Sequence, residues 1–207
     1  MWGCEIDDSV LARIKSRDDY NEYYFPKDKF QGFPKNGYET FVFNILNHKN
    51  ISIVLNTKFD KIMEQQFDHI FNSMSIDEYY DFCFGKLPYR SIKFHSTEAP
   101  FNMPTPVINF TDAEKYTRIT NWGLFPNHGV ASICTLEEPC DYKENNDERY
   151  YPINDIHGTN RKLYKKYTKI KNNKVTFIGR CGLYVYIDMD MAISISLKIA
   201  EKFINLQ

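Results

Sequence analysis

Between positions 51 and 136 the sequence offers strand-like runs with no helical period separating them. The runs are 51–59, 69–74, 89–97, 106–111, 116–122 and 130–136. Strands that follow one another without crossover helices join by hairpins and meanders, so an antiparallel sheet is expected. The run 89–97 alternates. Tyr89, Ser91, Lys93 and His95 share one face, and Arg90, Ile92 and Phe94 share the other.

Helical patterns flank this block. Residues 8–17 read as a short helix that Asp8 or Ser9 can cap, with Val10, Leu11 and Ile14 on one face and Arg13 and Arg17 together on another. Tyr38, Phe41, Val42, Ile45 and Leu46 follow the helical period after a Pro-Lys-Asn-Gly turn. The charged stretch 137–148 reads as a loop. A basic helix over 160–171 and a strand over 174–178 come next, then a tight turn from Gly179 to Gly182. A last helix runs over 188–203, with Asp188 as its cap and Met191, Ile195 and Ile199 on its apolar face. The expected class is α+β: an antiparallel or mixed sheet domain with flanking helices, plus a strand–helix return near residue 207.

Charge narrows the partners. The 207 residues carry 26 basic and 27 acidic side chains, a formal net charge of -1. Nucleic-acid-binding domains usually show a clear basic excess, so no nucleic-acid partner is expected. The one dense basic stretch runs from Arg161 to Lys174. The five cysteines, at 4, 83, 134, 140 and 181, are odd in number and irregular in spacing. That pattern suits a reducing compartment better than a disulfide scaffold. No apolar run approaches the ~20 residues of a membrane span, and the start shows no signal-peptide pattern. A cytoplasmic protein with no membrane partner is the expectation.

The chemistry-bearing residues are sparse. The nine glycines never fall two apart, so neither G-x-G-x-x-G nor a Walker loop is present. Gly179 and Gly182 give only G-x-x-G, which a bare turn explains. Arginines stand beside aromatics at Arg90 and Arg118, and Arg13 and Arg17 lie near a Tyr-rich loop. Guanidinium forks match phosphate oxygens, and tyrosine hydroxyls add donors. The alternative for such arginines is a solvated face or a surface ion pair. Cys134, Cys140 and His157 lack zinc spacing, so no metal is expected.

Three ordered blocks carry a likeness. The first holds Trp2-Gly3, Arg13-Ile14, Arg17, Tyr24-Phe25, Gln31-Gly32-Phe33-Pro34 and Gly37-Tyr38. The second holds Ile76-Asp77-Glu78-Tyr79-Tyr80-Asp81, Phe84-Gly85, Tyr89-Arg90-Ser91-Ile92-Lys93-Phe94, Val107-Ile108-Asn109-Phe110-Thr111-Asp112 and Tyr116-Thr117-Arg118-Ile119. The third holds Tyr150-Tyr151-Pro152-Ile153-Asn154-Asp155, Gly179-Arg180 and Tyr184-Val185-Tyr186-Ile187-Asp188-Met189. Together they resemble the UDP-galactopyranose mutase family along essentially the whole chain.

The resemblance implies an isomerase that interconverts UDP-galactopyranose and UDP-galactofuranose with reduced FAD, a reaction of cell-surface polysaccharide biosynthesis. Family enzymes are about twice this long. The likeness therefore implies residues 1–50 as the end of a helical substrate domain, 51–172 as the sheet domain, and 173–207 as the C-terminal segment of the flavin domain. It further implies a truncated chain, inactive alone and needing a complementary N-terminal flavin-domain chain. The alternative is a non-catalytic remnant serving as a nucleotide-sugar-binding or protein-interaction module. By position, Arg13 and Arg118 match the family's diphosphate arginines and count as catalytic. Tyr24, Tyr151 and Tyr186 match hydroxyl donors to the substrate, and Trp2 and Asn109 lie along its channel. Arg180, Asp188 and Met189 match flavin contacts. Three departures stand out. Ser73-Met74-Ser75 replaces a Thr-Gly-Pro, Asp190-Met191 replaces a His-Gln, and Ile178 replaces a Gly before Gly179-Arg180.

Overall fold

The computed structural model describes residue 20 and residues 27–100, 102–112, 115–125 and 133–205. The expected helix at 8–17 and the site residues Trp2, Arg13 and Tyr24 lie outside the described residues. Two compact units emerge. Among the described residues, Phe59–Lys93 and Pro139–Gln207 form the first, and Phe94–Glu138 with the residues up to Lys58 form the second.

The first unit contains β1 (Ile70–Asn72), α2 (Ile76–Tyr79), β6 (Tyr151–Pro152), α3 (Thr159–Tyr167), β7 (Val175–Phe177), α4 (Gly179–Gly182) and α5 (Met189–Ile204), with the first half of β2 (Tyr89–Glu98). Strands β1 and β7 pair in parallel, Ile70 opposite Val175 and Asn72 opposite Phe177. After β7 the chain must pass close to β1. A Cβ on Gly182 would lie 3.0 Å from the Asn72 carbonyl oxygen, so only glycine fits there without a shift.

The core of this unit is built on tyrosine. Ile76, Leu87, Tyr89, Tyr142, Tyr167 and Tyr184 form its buried cluster. A buried phenol needs a partner for its hydroxyl. Tyr167 accepts from the Phe84 N–H at 3.1 Å and donates to the Gly85 carbonyl at 2.6 Å. The Tyr184 hydroxyl reaches the carbonyls of Pro88 and Ile153 at 2.9 and 2.7 Å. These rings thus tie distant segments as well as filling space. Helix α5 packs Phe203 against His69 and Phe71, with ring centroids 4.4 and 5.3 Å apart.

The second unit contains α1 (Gly37–Leu46), β3 (Val107–Asn109), β4 (Arg118–Asn121), most of β5 (Ile133–Asp141) and the second half of β2. Strands β3 and β4 pair antiparallel, as do β4 and β5. Met103, Ile119 and Cys134 form its buried cluster, with Ile108, Phe110 and Leu136 packed on it. The full five-stranded sheet has the order β3–β4–β5–β2–β6.

The α+β class and the antiparallel sheet agree with expectation, and a small parallel pair stands apart from that sheet. Along β2 the residues Tyr89 and Ser91 are buried, on the face the alternation predicts. Several local expectations fail. The short helix α2 interrupts the run of strands, and the expected tight turn from Gly179 to Gly182 is the short helix α4. Residues 51–59 form no strand, because Asn56 takes a left-handed φ of 53° and Val54 and Leu55 stay exposed. The expected loop at 137–148 begins instead as strand through Asp141, and Asp141 then caps a 3-10 turn by accepting from the Lys143 N–H. Asp188 sits at the N-cap of α5 but forms no side-chain capping bond. At the turn before α3 the cap comes from Asp155, which accepts from the N–H groups of Thr159 and Asn160.

Candidate functional site

In the second unit, strand register aligns three polar residues in a row. Arg118 of β4 lies directly opposite Asn109 of β3 and Glu137 of β5. The side chains follow the backbone. Arg118 Nε donates to Asn109 Oδ1 at 2.9 Å, and its Nη1 lies 3.4 Å from Glu137 Oε1. The Arg118 side chain is 42% exposed and that of Glu137 15%. Among the described residues two of its five donors are engaged, which orients the fork, and the side chain stays partly open to solvent. A fork held this way is ready for bidentate contact with an anion. The Glu137 carboxylate sits beside that fork, so an arriving anion competes with it. Its neighbour Glu138 is occupied, bonded to Lys115 at 3.0 Å and to His95 at 2.7 Å. Those two contacts, Lys115 first, hold the Glu138 carboxyl below its usual range.

In the first unit, a second cluster gathers tyrosines and arginines. Tyr151 of β6 pairs across the sheet with Arg90 of β2. Its ring is buried, and burial pushes its hydroxyl up to about 12, with Arg90 pulling the other way. That hydroxyl therefore stays protonated at neutral pH and acts as a donor. The Tyr186 ring stands edge-on to it at 5.6 Å. Arg180 lies 5.3 Å from the Tyr186 centroid and 5.6 Å from that of Tyr150. Gly179, at φ 70°, turns the chain so that Arg180 reaches across the entrance of α5. Its Nε and Nη2 donate to the Ile187 carbonyl at 3.0 and 2.6 Å, and its Nη1 to the Tyr150 carbonyl at 3.1 Å. Three donors are thus spent on the backbone. Asp188 and Met189 follow at the exposed start of α5.

A buried arginine supports the tyrosine segment. Arg149 pairs with Glu78 at 2.6 Å and lies within 5.3 to 5.5 Å of the Tyr142, Tyr89 and Phe82 ring centroids. Asp77 is fully buried, and its Oδ2 accepts from the Leu87 N–H at 2.9 Å. Burial pushes the Asp77 carboxyl up, while the Leu87 bond and Arg149 pull it back.

The structure therefore brings Asn109 and Arg118 together, and separately groups Tyr151, Tyr186 and Arg180 ahead of Asp188 and Met189. Glu137 and Arg149 were missed from sequence. Glu137 was hidden by the loop reading of its charged stretch. The signal was available, since no turn residue separates the strand-like run ending at Leu136 from Glu137 and Glu138, and the first one met is Pro139. Among the described residues no group of His, Cys, Asp and Glu could hold a metal ion. No helix among them is long and apolar enough to cross a membrane.

A family model described as UDP-galactopyranose mutase matches residues 1–186. The chain belongs to this family. Relatives of the UDP-galactopyranose mutase family agree. A dTDP-fucopyranose mutase of Escherichia coli is 34% identical over 224 residues, covering 99% of this chain and 58% of that protein. A probable UDP-galactopyranose mutase of Klebsiella pneumoniae is 34% identical, with 99% and 55% covered. The UDP-galactopyranose mutase of Mycoplasma pneumoniae is 33% identical, with 99% and 57% covered. The chain thus spans a little over half the length of the curated relatives it matches.

Proposed function

We propose that this chain is the sugar-nucleotide-holding portion of a mutase that interconverts UDP-galactopyranose and UDP-galactofuranose. The oriented, half-exposed guanidinium of Arg118 carries the reading. A leaving diphosphate gathers negative charge as the bond to the anomeric carbon breaks, and a fixed guanidinium stabilises that charge without reorganising. Tyr151 and Tyr186 serve as hydroxyl donors to the substrate, and Asn109 holds Arg118 in place while facing the channel. Trp2, Arg13 and Tyr24 take the substrate roles that the family likeness implies.

Reduced FAD, when bound, supplies the electron pair that meets the anomeric carbon. The described residues suit one edge of a flavin. The first N–H groups of α5 lack intrahelical partners and carry no side-chain cap, and Arg180 braces the backbone just ahead of them. The rest of the cofactor needs a complementary flavin-domain segment, in the same or another polypeptide. Two features support that need. Parallel strands are usually buried on both faces, yet β1 and β7 form a pair alone among the described residues. Helix α5 also keeps Met189, Ile193, Leu197 and Ile204 exposed, although it already packs on another face. Residues 173–207 then belong to the flavin domain, 51–172 to the sheet domain and 1–50 to the helical domain. One observation favours the alternative of a non-catalytic binding module. Asp190, which stands where the family likeness implies a His, puts an added carboxylate in the first turn of the helix, where an anionic ligand would prefer none.

Calorimetric titration of UDP into the chain tests the reading. Binding is expected, weakened about 10- to 100-fold in Arg118→Ala by loss of a charge-assisted contact. Absence of binding, or an unaffected Arg118→Ala, refutes it. Binding without sugar conversion once a complementary flavin domain is supplied selects the non-catalytic alternative.

A further inference from the structure

The dense basic stretch belongs to no part of the proposed site. From Arg161 to Lys174 there are seven basic residues, and no acidic residue occurs between Asp155 and Asp188, in a chain whose formal net charge is -1. The structure gives the stretch a direction. In α3, Tyr167 is buried and Leu163 and Tyr164 pack on the tyrosine core. Lys162, Lys165 and Lys166 share one stripe of α3, Lys169 continues it in the turn just past the helix, and all four are exposed. Lys171 extends the stripe into the following loop, also exposed.

A solvated helix face usually interleaves acids with its lysines at helical spacing. Here none is interleaved, and nearby carboxylates are taken up elsewhere. Asp155 caps α3, Asp81 pairs with Lys61, and Glu78 pairs with Arg149. Among the described residues, none of the five lysines pairs with a carboxylate.

We propose that this stripe is a docking surface for an anionic lipid membrane. A flat array of negative headgroups asks for several point charges on one face and no shaped pocket, which is what clustered lysines offer. Other polyanions fit less well. Nucleic-acid surfaces generally add exposed rings for stacking or free arginine forks. The tyrosines of α3 turn inward, and Arg161 spends Nη1 on the Tyr184 carbonyl at 3.0 Å. No large apolar side chain of α3 is exposed, so the helix rests on the headgroups without inserting, and binding is peripheral and reversible. The expectation of no membrane partner came from the lack of a spanning run and does not bear on surface charge.

Flotation of the full chain with phosphatidylcholine vesicles, with and without phosphatidylglycerol, tests this. Binding is expected only to the vesicles containing phosphatidylglycerol, and high salt should abolish it. Each lysine near such a surface contributes about fivefold in partitioning, so Lys162→Glu, Lys166→Glu and Lys169→Glu together should lower it at least about 100-fold. The same three positions changed to Arg should retain it. Changing them to Gln serves where the Glu variant shows an altered far-ultraviolet spectrum. The proposal is overturned by equal binding to pure phosphatidylcholine, by no binding at low salt, or by wild-type binding in the reversed variant. It is also overturned if duplex DNA binds while the vesicles do not.

Discussion

Replacing Arg149 with methionine separates charge from packing at the centre of the first unit. Methionine keeps most of the stem's volume, so no large cavity opens, but the guanidinium is lost. The Arg149 side chain is only 8% exposed and its partner Glu78 34%. Removing one partner of a fully buried pair costs about 3–5 kcal/mol. Glu78 can recover part of its hydration, which places its loss below that range. The three ring contacts add about 0.5–1 kcal/mol each. A net loss of about 3 kcal/mol at neutral pH is expected. The sign of the pH effect follows from Asp77. Burial raises its folded pKa above the ordinary 3.8, so the native state binds its proton more readily than the unfolded chain. Stability from this group is therefore lost above the raised pKa and regained as pH falls through it toward 3.8. Without Arg149 the rise is larger, so the variant should recover part of its deficit on acidification. Urea unfolding at pH near 7 and near 5, followed by circular dichroism, measures both effects. A deficit below about 1 kcal/mol, or one that does not change with pH, refutes the account.

Two further outcomes are expected. Gly182→Ala pushes a methyl to 3.0 Å from the Asn72 carbonyl oxygen and 3.4 Å from Phe177 Cβ, both rigid, and should cost about 1–3 kcal/mol, read as a drop in thermal midpoint. Glu137→Gln keeps an acceptor for Arg118 while removing the competing charge, so UDP affinity should rise by up to about fivefold in calorimetry. Glu137→Ala should instead lower it by freeing the fork, and a fall in both variants would assign Glu137 to the ligand itself.

The helices and the sheet were legible where the chain satisfies its own periodicity. The alternation over 89–97 survives in β2 because one face is buried against the tyrosine core, which penalises any slip of register. The run 51–59 has equal strand propensity but no pairing partner among the described residues, and propensity alone does not hold a strand. The charged run at 137–148 fails in the opposite sense. Glu137 and Glu138 find Arg118, Lys115 and His95 across the sheet, so charges that read as loop are satisfied in a strand. Family likeness supplied Arg118, Tyr151 and Arg180 as site residues. It could not supply Glu137 as the second arm on Arg118, because that pairing is a matter of register.

Register and bonding also decide which site residue can be tested cleanly. Arg180 is a brace: it binds the carbonyls of Ile187 and Tyr150 and so fixes the entrance of α5 to the strand that carries Tyr151. Any change at Arg180 disturbs the fold and the start of the helix at once, so a loss of flavin or of activity there would not show a direct contact. Arg118 is held through a 3.4 Å ion pair and one amide, on a side chain 42% exposed. Exposed pairs of this kind contribute about 0–1 kcal/mol to stability. A large loss of ligand affinity at Arg118 with unchanged unfolding must then come from the ligand, and the function of this chain is better settled at Arg118 than at any residue of the proposed flavin edge.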